Sequence, residues 1–255
     1  MEIPQVLLDH HLKALRLPTF LREYGKVAQQ CAAEGVDYPR YLLRLSEQEL
    51  LDRERRATER RIKQARFRVV KSLDSFDFLA IPSLNKALVL ELARSEFIER
   101  KENVLALGNS GTGKTHIALA LGLAACQKGY RVRFTTAAEM VTELIEAQNQ
   151  AELNRVRNRW LRYELIVIDE LGYVMMPDAA AELLFQVIAG RAERAAVIVT
   201  TNLPFSEWTT KFPNARLCKA MLDRLTDQAN IIETGNESYR FRPTLEKKQG
   251  KGAKA

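Results

Sequence analysis

Val104-Leu105-Ala106-Leu107, running into Gly108-Asn109-Ser110-Gly111-Thr112-Gly113-Lys114-Thr115, decides the fold. Four consecutive apolar residues predict a buried strand, and a helical pattern opens at His116 and runs to Gln127. The eight residues between them satisfy GxxxxGK[ST] at every position. Their glycines accept backbone torsions that other residues resist. Main-chain N–H groups can therefore turn toward a run of phosphates, with the positive end of the next helix behind them. Lys114 is the residue type that meets β- and γ-phosphates, and Thr115 carries the hydroxyl suited to Mg²⁺. ATP with Mg²⁺ is the ligand expected at Gly108 to Thr115.

Two further stretches fit that expectation. Leu165-Ile166-Val167-Ile168-Asp169-Glu170 reads as a buried strand that delivers two acids at its C-terminal end, where parallel sheets place ligands. Asp169 is placed in the Mg²⁺ shell, and Glu170 is placed to orient or deprotonate an attacking water. An apolar run ending in two acids is also how an ordinary strand ends. Its position after the phosphate loop, with room for a helix, a strand and more helix between them, favours the chemical role. Val199-Thr200-Thr201-Asn202 closes another apolar strand. The Asn202 amide there is of a kind that reaches between a γ-phosphate and a water, although Thr-Asn before Pro204 is equally a turn signal.

Val132–Thr135 and Val197–Thr200 complete a set of four strand candidates with helical patterns between them. Strands separated by helices imply parallel βαβ units and a three-layer α/β domain over residues 103–245. Residues 1–72 read instead as a small all-helical domain rich in Leu, Arg, Glu and Gln. Apolar residues recur there at helical spacing in Leu7, Leu8, His11, Leu12 and Leu15, and again in Tyr41, Leu42 and Leu45. Pro18, Gly35 and Pro39 punctuate it, and Ser46 with Glu49 resembles a capping box opening a third helix. Residues 73–102 read as a link containing one helix from Leu84 to Ile98, and 246–255 as a disordered basic tail.

The chain of 255 residues carries a net charge of +7 with a pI near 9.4. Between Asp52 and Lys71 nine basic residues stand against three acidic ones, so most of that excess concentrates in one helix. Either the helix is a solvated face with internal ion pairs, or Arg55, Arg56, Arg60, Arg61 and Lys63 meet phosphates; the one-sided excess favours phosphates. No apolar run reaches the ~20 residues of a membrane span. Met1-Glu2-Ile3-Pro4 does not begin a secretory signal, and Cys31, Cys126 and Cys218 are too scattered for a disulfide framework or a zinc site. These features point to a reducing, cytoplasmic setting and exclude a membrane protein.

Phosphate loop, Asp-Glu and Thr-Thr-Asn, in this order and spacing, resemble an AAA+ ATPase. Within that superfamily the chain resembles IstB, the transposition helper ATPase of insertion sequences, whose core is similar to the helicase loader DnaC. The resemblance covers nearly the whole chain. It rests on Phe76-Asp77-Phe78, Glu102-Asn103-Val104, Ile168-Asp169-Glu170-Leu171-Gly172-Tyr173 and Met221-Leu222-Asp223-Arg224-Leu225. It implies that Arg224 is an arginine finger reaching a nucleotide held by a neighbouring subunit, so that the chain works as a homo-oligomer. It also implies a nucleotide-sensing role for Arg240. The stretch after Leu225 leaves no room for the helical lid of most AAA+ proteins, which agrees with the IstB and DnaC group. Members of that group bind DNA through an extra helical element, here residues 137–163 with Arg155, Arg157, Arg159 and Arg162, beside a Trp160 that can stack or pack.

The resemblance thus implies an ATP-dependent regulator of DNA transposition. It would grip double-stranded DNA with little sequence preference, present target DNA to a cognate transposase, and release it on ATP hydrolysis. A DnaC-like helicase loader is the nearest rival. A small-molecule P-loop kinase often has an acceptor pocket and a mobile lid, and the sequence shows no segment for either; a purely structural nucleoid protein does not need Lys114, Thr115, Asp169 and Glu170 intact.

Overall fold

The computed structural model describes residues 3–173, 176–210, 212, 214–235 and 239. It divides into two compact units, Met1–Arg60 and Arg61–Ala255, so the division falls inside a helix and earlier than residue 72.

The smaller unit begins with α1 (Ile3–Ala14) and α2 (Pro18–Glu34), followed by α3 (Tyr38–Ala65), which continues into the larger unit. Pro18 occupies the first turn of α2, where its missing N–H costs no bond, and Gly35 ends α2 in the left-handed conformation. The expected capping box is absent. Ser46 lies inside α3 and donates to Leu42 O at 2.8 Å. Glu49 is buried and accepts from Thr19 N at 2.8 Å, so it caps the start of α2 across space instead of its own helix. Of the apolar residues at helical spacing, Leu12 and Leu45 are buried, whereas Leu7, Leu8, Leu15 and Leu42 are exposed. Val27, Cys31 and Leu45 form the small core. The third helix also stops sooner than its charge pattern suggests, at Ala65, with Arg66 at φ +57°.

In the larger unit, residues 73–102 hold two short 3-10 turns and two helices, α4 (Lys86–Leu92) and α5 (Glu96–Glu99). The single helix expected from Leu84 to Ile98 is broken at Ser95, which is buried and left-handed at φ +63°. Ala80, Ile81, Leu84, Val89, Leu92, Phe97 and Ile98 are buried against the sheet's core layer, so the segment is part of the domain's packing.

The core follows as β1 (Asn103–Leu107), α6 (Lys114–Gln127), β2 (Val132–Thr136), α7 (Ala137–Asn149), α8 (Leu153–Leu161), β3 (Leu165–Asp169), α9 (Asp178–Arg191), β4 (Ala196–Thr201), α10 (Ala215–Thr226) and β5 (Ala229–Glu233). All strand pairs are parallel, in the order β2-β3-β4-β1-β5. The apolar strands are covered on both faces, which is why they read as continuous runs rather than alternations. Val104, Ala106, Leu165, Val167, Ala196 and Ile198 pack with α6 and the 80–98 segment. Leu105, Ile166, Ile168, Val197 and Val199 pack with α7 to α10. The three-layer parallel α/β core holds. No helix among the described residues is long and apolar enough to cross a membrane.

Candidate active site

The loop after β1 owes its path to glycine at two positions. Gly108 sits at φ +147°, and a Cβ there would lie 2.3 Å from Thr234 Oγ1 and 2.9 Å from Gly235 O. Gly113 sits at φ +94°, and a Cβ would lie 2.9 Å from the Phe76 ring. Only glycine takes both the torsion and the close approach. The loop is also tied from outside its own motif. Asn109 N donates to Gly235 O at 3.2 Å, and Thr234 N donates to Leu107 O at 2.8 Å. The hydroxyls of Thr112 and Thr234 lie 2.5 Å apart in the buried interior. Thr234 belongs to no nucleotide motif. Only its place one residue past Glu233, the β5 residue in register with Leu107, reveals its role.

Lys114 is buried at the first turn of α6 and its ammonium donates to Asn109 O at 2.7 Å. Thr115 donates from Oγ1 to Asp169 Oδ1 at 2.9 Å, which brings together the two residues expected to share a cation. Asp169 ends β3 with 2% of its surface exposed, and Thr200, from the neighbouring β4, donates to the same Oδ1. Thr200 Oγ1 in turn accepts from Glu170 N at 3.0 Å. One hydroxyl therefore orients the carboxylate of Asp169 and fixes the backbone of Glu170. Glu170 itself is exposed and left-handed at φ +62°, which turns the chain sharply where the strand ends.

A small cavity is bounded by Ser110, Lys114, Thr115, Glu170, Thr200 and Asn202. The phosphate loop, the second acid and the amide after β4 thus meet at the C-terminal edge of the sheet, where ligands of parallel sheets collect. On the other flank of the loop opens a cavity of about 370 Å³, walled by Val69, Phe76, Ile81, Leu119, His116 and Tyr239. Its volume and the Phe76 and Tyr239 side chains among its mixed apolar and polar walls suit a planar ring system. His116 Nε2 lies 3.0 Å from Ser72 O, and its ring meets Phe76 edge-on at 5.1 Å, fixing that wall. Tyr239 N donates to Gly111 O at 3.1 Å. Arg68 stands near the acids without any motif to mark it in the sequence. It bonds Glu139 at 2.9 Å, and that bond, with the nearby charges of Glu170 and Asp169, raises its pKa further above the usual arginine value.

A profile of IstB-like ATP-binding proteins matches residues 10–247. The chain belongs to that family. It is 36% identical over 235 residues to the ATP-binding protein of insertion sequence IS5376 from Geobacillus stearothermophilus, covering 92% of this chain and 94% of that one. Against the ATP-binding protein of insertion sequence IS21 from Pseudomonas aeruginosa it is 35% identical, covering 92% and 89%. Among solved structures, AMPPCP-bound DnaA from Aquifex aeolicus aligns with TM-score 0.55 at 20% identity, over 70% of this chain and 54% of that one. DnaI aligns with TM-score 0.53 at 16% identity, over 64% and 90%. The fold is therefore that of an AAA+ P-loop ATPase, and the chain is an ATP-binding protein of the insertion-sequence type.

Other residues singled out in this IstB-family chain lie apart from the loop. Arg224 is on α10, and lines neither cavity beside the loop. Its guanidinium donates to Ala220 O at 3.0 Å and lies 5.0 Å from the centre of the Phe185 ring. Arg240 lies outside the described residues, as does the tail from 246. In α3, Arg55 is paired with Asp52 and Glu59, as a solvated helix face would have it, and Arg56 with the buried Glu49. Arg60 lines a surface groove with Arg53 and Arg56, and Lys63 is exposed. Arg61 lies beside Gly129 in the larger unit. The 137–163 stretch is two helices, α7 and α8, rather than one element. Trp160 is buried and donates to Glu143 at 3.0 Å, so it packs and has no face for a base. Arg155 pairs with Glu152 and Arg159 with Glu143, whereas Arg157 and Arg162 carry no carboxylate partner among the described residues.

Proposed function

We propose that the protein is an ATP-hydrolysing, DNA-binding regulator of transposition. The observation that carries this reading is the meeting of Lys114, Thr115, Asp169, Glu170 and Asn202 at one sheet edge, in a chain whose relatives are insertion-sequence ATP-binding proteins. The triphosphate lies on Gly108 to Thr115 with its charge met by Lys114, and the base enters the cavity walled by Val69, Phe76 and Leu119. Thr115 and Asp169 present hard oxygens of the kind Mg²⁺ takes, and the ion, when bound, offsets the negative charge of the phosphates. Glu170 orients or deprotonates the attacking water, and Asn202 holds it against the γ-phosphate. Arg224 completes the site of a neighbouring subunit, so ATP binding assembles the homo-oligomer.

The assembly grips double-stranded DNA through arginine–phosphate contacts from α8 and the basic stretch of α3, with little sequence preference. Bound DNA is presented to the cognate transposase, and hydrolysis dismantles the complex. Binding to random-sequence duplex and to single strands, without nucleotide, with ADP and with a slowly hydrolysed ATP analogue, followed by particle mass, tests this. Tight duplex binding and a rise in mass with the analogue alone are expected. Preference for single strands would replace the reading with a helicase loader, and no DNA binding in any state would end it.

A further inference from the structure

Asn103 opens β1 and is buried, yet its side chain takes no part in the nucleotide site. Three hydrogen bonds engage it. The amide nitrogen donates to Arg224 O at 3.1 Å and to Leu225 O at 3.2 Å, and the amide oxygen accepts from Val197 N at 3.1 Å. Helix α10 ends at Thr226, so Arg224 and Leu225 belong to its last turn, whose carbonyls have no partner within the helix. One side chain from the sheet satisfies two of those carbonyls and binds them to the start of β4. The strand that carries this side chain runs directly into Gly108, and β4 runs directly into Asn202.

We propose that Asn103 is a positioning residue that sets Arg224 for the neighbouring subunit and couples it to the nucleotide loop of its own subunit. This rests on the reading of Arg224 as acting in trans. The two ends of Arg224 are then held separately, the carbonyl by Asn103 and the guanidinium by Ala220 O and the Phe185 ring. A short parallel strand transmits little bending, so a shift of the loop at Gly108 moves the root of α10 through the Asn103 amide.

Complementation between subunits tests it. Asn103→Leu keeps the branching at Cγ, is somewhat larger, and removes both donors together with the acceptor for Val197 N. It is expected to keep nucleotide affinity within about threefold and to lower ATP turnover at least tenfold, about 1.4 kcal/mol. Lys114→Ala subunits are weakened in nucleotide binding but carry an intact Arg224. Mixed with them, Asn103→Leu subunits regain turnover, because their own sites receive a sound arginine. Arg224→Ala mixed with Lys114→Ala is the control for the underlying reading, and absence of recovery there removes the trans role itself. Recovery in that control without recovery for Asn103→Leu overturns the proposal. Should Asn103→Leu lose nucleotide binding, Asn103→Ser takes its place in the same mixtures. Loss of binding in both variants also overturns the proposal, since Asn103 would then serve its own subunit's site.

Discussion

The hydroxyl of Thr200 donates to Asp169 and accepts from the backbone N–H of Glu170, so one β4 side chain holds both acids at the end of β3. Replacing it with valine keeps the volume and removes both bonds. Thr200→Val is expected to reduce ATP turnover by about 10- to 100-fold while nucleotide affinity changes little, as for loss of one or two oriented polar contacts in a site. Steady-state turnover beside a fluorescent-nucleotide titration reads both. Unchanged turnover would mean that Asp169 and Glu170 are placed by other means.

Lys114→Ala and Glu170→Gln should separate binding from hydrolysis. The first removes the buried ammonium at the loop and weakens ATP binding at least tenfold. The second keeps ATP, slows hydrolysis by about two orders of magnitude, and traps the DNA-bound assembly. Rapid turnover by Glu170→Gln would remove that residue from its assigned role.

Gly108→Ala places a methyl group where Thr234 Oγ1 stands 2.3 Å away, on a backbone at φ +147°. Strain of this kind costs about 1–3 kcal/mol. The variant should melt at a lower temperature and lose nucleotide affinity together, by calorimetry and titration. Ala at Gly25, where a Cβ would meet nothing within 4 Å, is the matched control.

Asp52 is held down at about 2, first by the Arg22 guanidinium and then by the Thr19 hydroxyl. A carboxyl whose pKa is lower in the folded chain stabilises fully above its unfolded value. That contribution fades as pH falls from near 4 toward 2. The helical unit should therefore lose ellipticity in that window, and Asp52→Asn should flatten its acid dependence. An identical acid profile for the variant would show that the Arg22 and Thr19 contacts do not govern it.

Among the described residues Arg157 and Arg162 have no carboxylate partner, whereas Arg155 and Arg159 are paired. Replacing either unpaired arginine with alanine should weaken DNA binding evenly across sequences and lower the salt slope by about one. Slopes from fluorescence anisotropy over a range of salt decide this, and an unchanged slope would take α8 out of the DNA surface.

Much of the core is legible because its signals are local. β1, β3 and β4 are built on apolar runs, β2 sets Val132 and Phe134 on either side of Arg133, and the sequence marks all four to within a residue or two. The loop and its acids announce themselves by residue type. The features that the sequence hides depend on distant partners. Glu49 resembles a cap for its own helix but serves Thr19, thirty residues earlier. Ser95 breaks a helix with no Gly or Pro to mark the break, because a buried left-handed turn is enforced by packing around it. Thr234 and Phe76 act on the loop from opposite ends of the domain, and neither belongs to a motif of phosphate chemistry.

The tie between the phosphate loop and Thr234-Gly235 also has a consequence for biosynthesis. The loop leaves the ribosome long before the residues that hold it, and domains complete their packing as units. A growing chain therefore displays the sequence that binds ATP while its backbone is still untethered. A fragment ending short of Thr234 would carry the phosphate-binding motif without the backbone ties at Leu107 and Asn109.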